Sequence, residues 1–378
     1  MELIERTECA LTHLPDLEDL YILKNFPIYM GCTTDPPESD IRSDMSWSIG
    51  KSSGLIQLKH LIPLDVLYAK SHGSGCVGAL WLEHHKAFAH FISSFSPQDV
   101  LEIGGAHGML AREYNKINAV RWTILEPNPS PADGTPARYL TGFFDNNFYC
   151  DFPVDAVVHS HVFEHMYEPD KFIKQISDFL PAGKYMFFSV PNMEEMIKRA
   201  YVNCINFEHT LLLTETHIEY LLSKHHFKIF SKEYFKDDHS IFYAATWDHA
   251  TDLKTLPSDL YNVNRNTFNK YINTLIAATN RLNSKLMLHN GPVFLFGAHI
   301  FSQYLISFGL DESKIRCILD NDNNKQAKRL YGTKLQVASP MILGGLDAPV
   351  VILKAGVYND EIRTDIINNI NASTIFWE

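Results

Sequence analysis

Between residues 76 and 247 short apolar runs alternate with amphipathic stretches: Val100-Leu101-Glu102-Ile103, Trp122-Thr123-Ile124-Leu125, Asp155-Ala156-Val157-Val158 and Tyr185-Met186-Phe187-Phe188-Ser189-Val190. Such alternation predicts βαβ units, hence an α/β fold with a parallel sheet covered by helices on both faces. After the polar piece Asp248 to Asp259, helical spacing appears at Phe268, Ile272, Leu275 and Ile276 and stops at Gly291-Pro292. A second alternation follows, with strand patterns at Val293–Phe296, Ile315–Leu319 and Val350–Leu353. The first 75 residues differ: they are loop-rich, interrupted by Pro27, Pro36, Pro37 and Pro63, and hold only small strand signals such as Leu55-Ile56-Gln57-Leu58. Three parts are therefore expected: a small lobe over 1–75, a main α/β domain over 76–248 and a second α/β domain over 249–378.

Composition narrows the class. Of 378 residues, 46% are hydrophobic and 20% charged, as in ordinary globular proteins. A net charge of −11 argues against an electrostatic grip on nucleic acid and for a small-molecule partner. Glu2, Glu5 and Glu8 leave no apolar core for a secretory signal, and no apolar run is long enough to span a membrane, so a cytoplasmic protein is expected. The six cysteines lack CxxC pairs and read as free thiols.

The first candidate site is the turn Gly104-Gly105-Ala106-His107-Gly108, where strand gives way to helix and glycine lets backbone approach a ligand. Glu126 closes the next strand, 24 residues after Glu102, where an acid meets a ribose diol. A nicotinamide dinucleotide uses the same ribose logic but needs G-x-G-x-x-G, which this turn lacks. An acid just before the turn, Glu102, suits a ligand with an amino group and a sulfonium, a description that fits S-adenosylmethionine. The segment resembles the first motif of class I methyltransferases, which implies that Glu102, Gly104, Gly105, Ala106 and Gly108 cradle the amino-acid part and Glu126 holds the ribose. Phe143, after the following strand signal, stands where such enzymes contact adenine, or else belongs to the core.

The second candidate site is histidine-rich. Val157-Val158-His159-Ser160-His161-Val162-Phe163-Glu164-His165 ends a strand and enters a helix, which turns polar residues such as His161 toward the cofactor crevice. His161 and His165 have the i, i+4 spacing of a metal pair, but without a second Cys or His cluster at ligand spacing no metal is expected. Farther on, Glu208-His209 has the form of a carboxylate-oriented general base, or is an incidental pair among 18 histidines.

The order of the three parts, with Asn206-Phe207-Glu208-His209 and His165, resembles the sugar C-methyltransferases of nucleotide-deoxysugar pathways. Further matches are Phe296-Gly297-Ala298-His299 and Leu319-Asp320-Asn321-Asp322. The resemblance implies a class I methyltransferase Rossmann-like domain between a small N-terminal lobe and a C-terminal Rossmann-like domain. It also implies His209, with Glu208, as the base that removes a proton alpha to a ketone of a nucleotide-linked sugar, and His165 as the match of a second family histidine after the third strand. The Ser71-His72-Gly73-Ser74-Gly75 string would approach the sugar. Two departures stand out. The family's zinc knuckles read Cys9-Ala10-Leu11-Thr12 and Gly50-Lys51-Ser52-Ser53 here, so a metal-free lobe is expected. Asn206 replaces the family tyrosine, which keeps sugar O-methylation open. A catalytically silent cofactor-binding subunit is a third reading.

Overall fold

The computed structural model describes residues 1–69, 78–248 and 251–378; the 71–75 string expected near the sugar lies outside them. The chain divides into two compact units. One comprises Met1–Asp19, Ser48–Met196 and Glu208–Arg265; the other comprises Leu20–Trp47, Ile197–Phe207 and Asn266–Glu378. The expected boundaries at 75/76 and 248/249 both fall inside the first unit.

The first unit is organised by a seven-stranded sheet. Its strands are β1 (Asp99–Ile103), β2 (Arg121–Glu126), β3 (Arg138–Thr141), β4 (Ala156–Ser160), β5 (Tyr185–Pro191), β6 (Phe227–Phe235) and β7 (Ser240–Trp247). They lie in the order β6-β7-β5-β4-β1-β2-β3, and only β7 runs antiparallel to its neighbours. That reversal closes a hairpin with β6 that apolar periodicity did not flag. The strands read as unbroken apolar runs because both faces are buried. Leu101, Val157, Phe188 and Tyr243 pack on one face, and Val100, Val158, Phe187 and Phe242 on the other. Helices α1 (Ala79–Ser93), α2 (Met109–Asn115), α3 (Pro169–Phe179) and α4 (Glu215–Lys224) flank the sheet in sequence. The order reverses at β1, which has β2 on one side and β4 on the other, so a ligand crevice is expected outside the carboxyl ends of β1 and β4.

Among the lobe residues of this unit, Cys9, Gly50 and Ser53 come together. The Cys9 thiol lies 3.1 Å from the Ser53 hydroxyl, and a Cβ on Gly50 would come within 3.0 Å of Cys9 Sγ. Positions 9, 50 and 53 thus meet in space, joined by a thiol–hydroxyl hydrogen bond.

His217 on α4 ties this corner together. Its Nε2 is 3.0 Å from the Ser53 carbonyl oxygen, and its Nδ1 accepts the Thr214 N–H at 3.2 Å as part of a capping box. Burial pushes its pKa from 6.5 down to about 4, so the folded ring stays neutral while the unfolded ring protonates first. Stability from this residue is complete above pH 6.5 and erodes as pH falls toward 4. By pH 5 the loss should be about 2 kcal/mol. Urea unfolding at pH 7 and pH 5 measures it, and a His217→Gln variant with the same pH dependence as the parent would refute the attribution.

The second unit has an all-parallel sheet of β8 (Val293–Phe296), β9 (Ile315–Leu319), β10 (Val337–Ala338), β11 (Val350–Leu353) and β12 (Ile375–Trp377) in the order β10-β9-β8-β11-β12. Gly297 turns the chain after β8 with φ +99°, and the next N–H, that of Ala298, donates to Asp320 Oδ2 at 2.8 Å. Asp320 also receives Lys325 Nζ at 3.1 Å. The segment 20–47 is tied into this unit by buried Arg329, whose guanidinium donates to both oxygens of Asp40 at 2.6 and 2.7 Å.

Candidate functional site

The turn after β1 is shaped by its neighbours before any ligand arrives. Glu102, only 3% exposed, accepts Trp122 Nε1–H at 2.7 Å and lies beneath the turn. A Cβ on Gly105 would sit 2.7 Å from Glu102 Cδ, so the acid and the glycine require each other. Gly108, at φ +74°, would place a Cβ 2.4 Å from Thr135 Cγ2. Desolvation pushes the Glu102 carboxyl up to about 7. Its first role here is to support the turn.

Glu126, at the end of β2, is half-buried and oriented by backbone. Its Oε2 accepts the Ala106 N–H at 3.1 Å and its Oε1 accepts the Asn128 N–H at 3.3 Å. Phe143, past the end of β3, is 51% exposed, whereas its neighbour Phe144 packs against Phe148, Phe172 and Phe179. An acid at one strand end and an open aromatic ring at the next fit the ribose and base of an adenosyl group.

The histidines after β4 divide three ways. His159 is fully buried, stacked 5.1 Å from the Phe188 ring, and desolvation pushes its pKa down to about 3. It lies on β4, both of whose faces are buried. His161 sits among Trp81, His84 and His239 and is 2.8 Å from the Ser240 hydroxyl. His165 alone joins the expected catalytic pair: its ring centroid is 5.2 Å from that of His209, and its Nδ1 is 3.9 Å from Glu208 Oε2.

Two residues of this cluster escaped sequence reasoning. The Tyr68 hydroxyl is 3.3 Å from His165 Nδ1, and the Tyr68 carbonyl oxygen accepts Asn128 Nδ2–H at 3.2 Å. Tyr68 therefore joins the loop that orients Glu126 to the histidine cluster. Burial, and secondarily the Glu208 carboxylate, raises its pKa well above that of an ordinary phenol, so it remains a hydrogen-bond donor. Buried Glu164 approaches His165 Nε2 at 3.7 Å. Tyr68 lies in the loop-rich opening of the chain without a motif to flag it. Glu164 was visible only as a letter in the histidine-rich string. The strand-end residue Ser189 faces His84 at 2.9 Å, and Asn192 donates to the Asp237 carbonyl at 2.8 Å.

Residues 81–232 match the family model described as a methyltransferase domain. No curated protein matches the chain. Among solved structures, the plantazolicin methyltransferase in complex with a monoazolic desmethylPZN analog and SAH is similar at 11% identity, with 45% of this chain and 84% of that chain covered and a TM-score of 0.36. A glycopeptide N-methyltransferase bound to S-adenosylmethionine is similar at 14% identity, over 43% and 94% of the chains, with a TM-score of 0.36. An S-adenosylmethionine-dependent methyltransferase from Clostridium acetobutylicum follows at 12% identity, over 43% and 91%, with a TM-score of 0.34. Residues 81–232 have a class I Rossmann-like architecture and match a methyltransferase-domain model. Among the described residues no helix is long and apolar enough to cross a membrane.

Proposed function

We propose that this chain methylates a nucleotide-linked sugar at the carbon alpha to a ketone, with His209 as the base. The observation that carries the reading is the cluster of Tyr68, His165, Glu208 and His209, joined through Asn128 to the loop that orients Glu126. The meeting of Cys9 with Ser53 adds support, since these are the positions of the family's metal knuckles.

The residues fit the cofactor. Glu126 would accept the ribose hydroxyls, the backbone of Gly104 to Gly108 would lie along the amino-acid part, and Phe143 would cover the adenine. When bound, S-adenosylmethionine supplies an electrophilic methyl group on sulfur. His209 takes the proton alpha to the ketone, and the electron pair of that C–H bond moves onto the ketone oxygen. The enolate's pair would then return to the alpha carbon, which would accept the methyl group the bound cofactor supplies, while His209 would hold the proton. In this reading His165 positions rather than abstracts, a role supported by the Tyr68 hydroxyl 3.3 Å from its Nδ1 and by the carboxylates of Glu208 and Glu164 at 3.9 and 3.7 Å. Tyr68 supplies a phenol in a chain whose Asn206 stands where the family has a tyrosine. Asn206 itself is buried and donates to the Asn203 carbonyl at 3.3 Å.

Incubation with labelled S-adenosylmethionine and a panel of nucleotide keto-sugars tests the proposal by mass. A one-methyl gain with loss of deuterium from an alpha-deuterated substrate is the expected result. A methyl gain with the deuterium retained establishes O-methylation, and no mass change across the panel would sink the sugar assignment.

A further inference from the structure

We propose that His84, His161 and His239 bind a divalent transition-metal ion of the zinc class, at a site that meets the catalytic cluster only through Glu164. The three residues come from distant parts of the first unit: α1, the loop after β4 and the β6–β7 hairpin turn. One ring nitrogen from each lies within 4.8 Å of the others. Three imidazoles with a fourth position open is a common zinc arrangement, and tetrahedral coordination at about 2.0–2.1 Å would ask for only a small inward movement of the rings.

The surroundings are those of a built site. His161 Nε2 and His239 Nδ1 converge on one oxygen, Ser240 Oγ, at 2.8 and 2.6 Å. A hydroxyl has a single proton, so it can donate to only one of the two rings. Fully buried His84 has Nε2 on Ser189 Oγ at 2.9 Å, while its Nδ1 is buried without a hydrogen-bond partner. Trp81 covers the cluster, its ring 4.9–5.2 Å from those of His161, His239 and His84.

A second observation points to a cation. Glu164 is 1% exposed, its two carboxylate oxygens are buried without a hydrogen-bond donor, and Oε1 lies 3.3 Å from His161 Nδ1. A buried carboxylate without donors is costly. Behind a metal-bound His161 it becomes the carboxylate of a carboxylate–histidine–metal relay, accepting the Nδ1–H and offsetting the ion's charge. The ion would then fasten the β6–β7 hairpin to α1 and to the strand ends that carry the site. The proposal is independent of which substrate the domain methylates.

Cobalt(II) titration of the chelator-stripped full chain, free of any histidine tag, tests it. The expected result is one equivalent bound, with the visible bands of a tetrahedral nitrogen site, displaced by zinc and accompanied by a higher thermal midpoint. His239→Ala, in the hairpin turn, should weaken cobalt binding by at least about a hundredfold, and His84→Gln should do the same. Cys9→Ser and His165→Gln should leave it unchanged. Circular dichroism checks that each variant folds, and if His84→Gln does not, His239→Ala decides. Absence of a bound equivalent overturns the proposal. So does binding that survives His239→Ala, or binding lost in His165→Gln, which would place the ion among Glu164, His165 and His209 instead.

Discussion

Replacing His209 by Gln should lower turnover by about 10²- to 10⁴-fold while leaving S-adenosylmethionine affinity nearly unchanged. The amide keeps much of the imidazole's size and polarity but cannot take a proton near neutral pH, so the loss falls on the chemical step. His165→Gln should cost less and in a different way. With the Tyr68 hydroxyl bonded at its Nδ1 and the Glu208 and Glu164 carboxylates close by, that ring orients its neighbours, so its loss should raise KM along with any fall in kcat. Steady-state kinetics on both variants, beside calorimetry of cofactor binding, separates the roles. Full activity in His209→Gln with collapse in His165→Gln would transfer the base to His165.

Glu126→Ala should weaken S-adenosylmethionine binding about tenfold or more, without a comparable change in the affinity for the sugar. The carboxylate is held at the end of β2 by the Ala106 and Asn128 N–H groups, so it meets a ribose diol already oriented. Hydrogen bonds to a charged group are worth about 1.5–3 kcal/mol, and the truncation also removes the acceptor that orders the turn. Isothermal calorimetry measures the change directly. Unaltered affinity would remove Glu126 from the cofactor site and with it the reading of the glycine turn.

The reading of the chain succeeded where structure is local. The apolar runs at 100–103, 122–125 and 185–190 became β1, β2 and β5 because both faces of a parallel sheet are buried, which leaves a continuous hydrophobic signal. The strand-turn-helix at Gly104 to Gly108 was equally legible, since its glycines answer to neighbours close in sequence such as Glu102. What failed was what depends on distant partners. The 20–47 segment clusters with the C-terminal residues because Arg329 finds Asp40 across 289 positions, a pairing that no periodicity records. His159 and His161 are neighbours in one polar-looking string, but the first lies on β4, both of whose faces are buried, while the chain's turn sent the second to His84 and His239. Tyr68 reached His165, and Cys9 reached Ser53, through folding alone. By itself the sequence determined the sheet's apolar strands, the glycine turn and the acid that follows it, because those rest on side-chain period and backbone sterics within a few residues. Only the tertiary structure decided which histidines meet, since that depends on strands and helices far apart in the chain closing over one another.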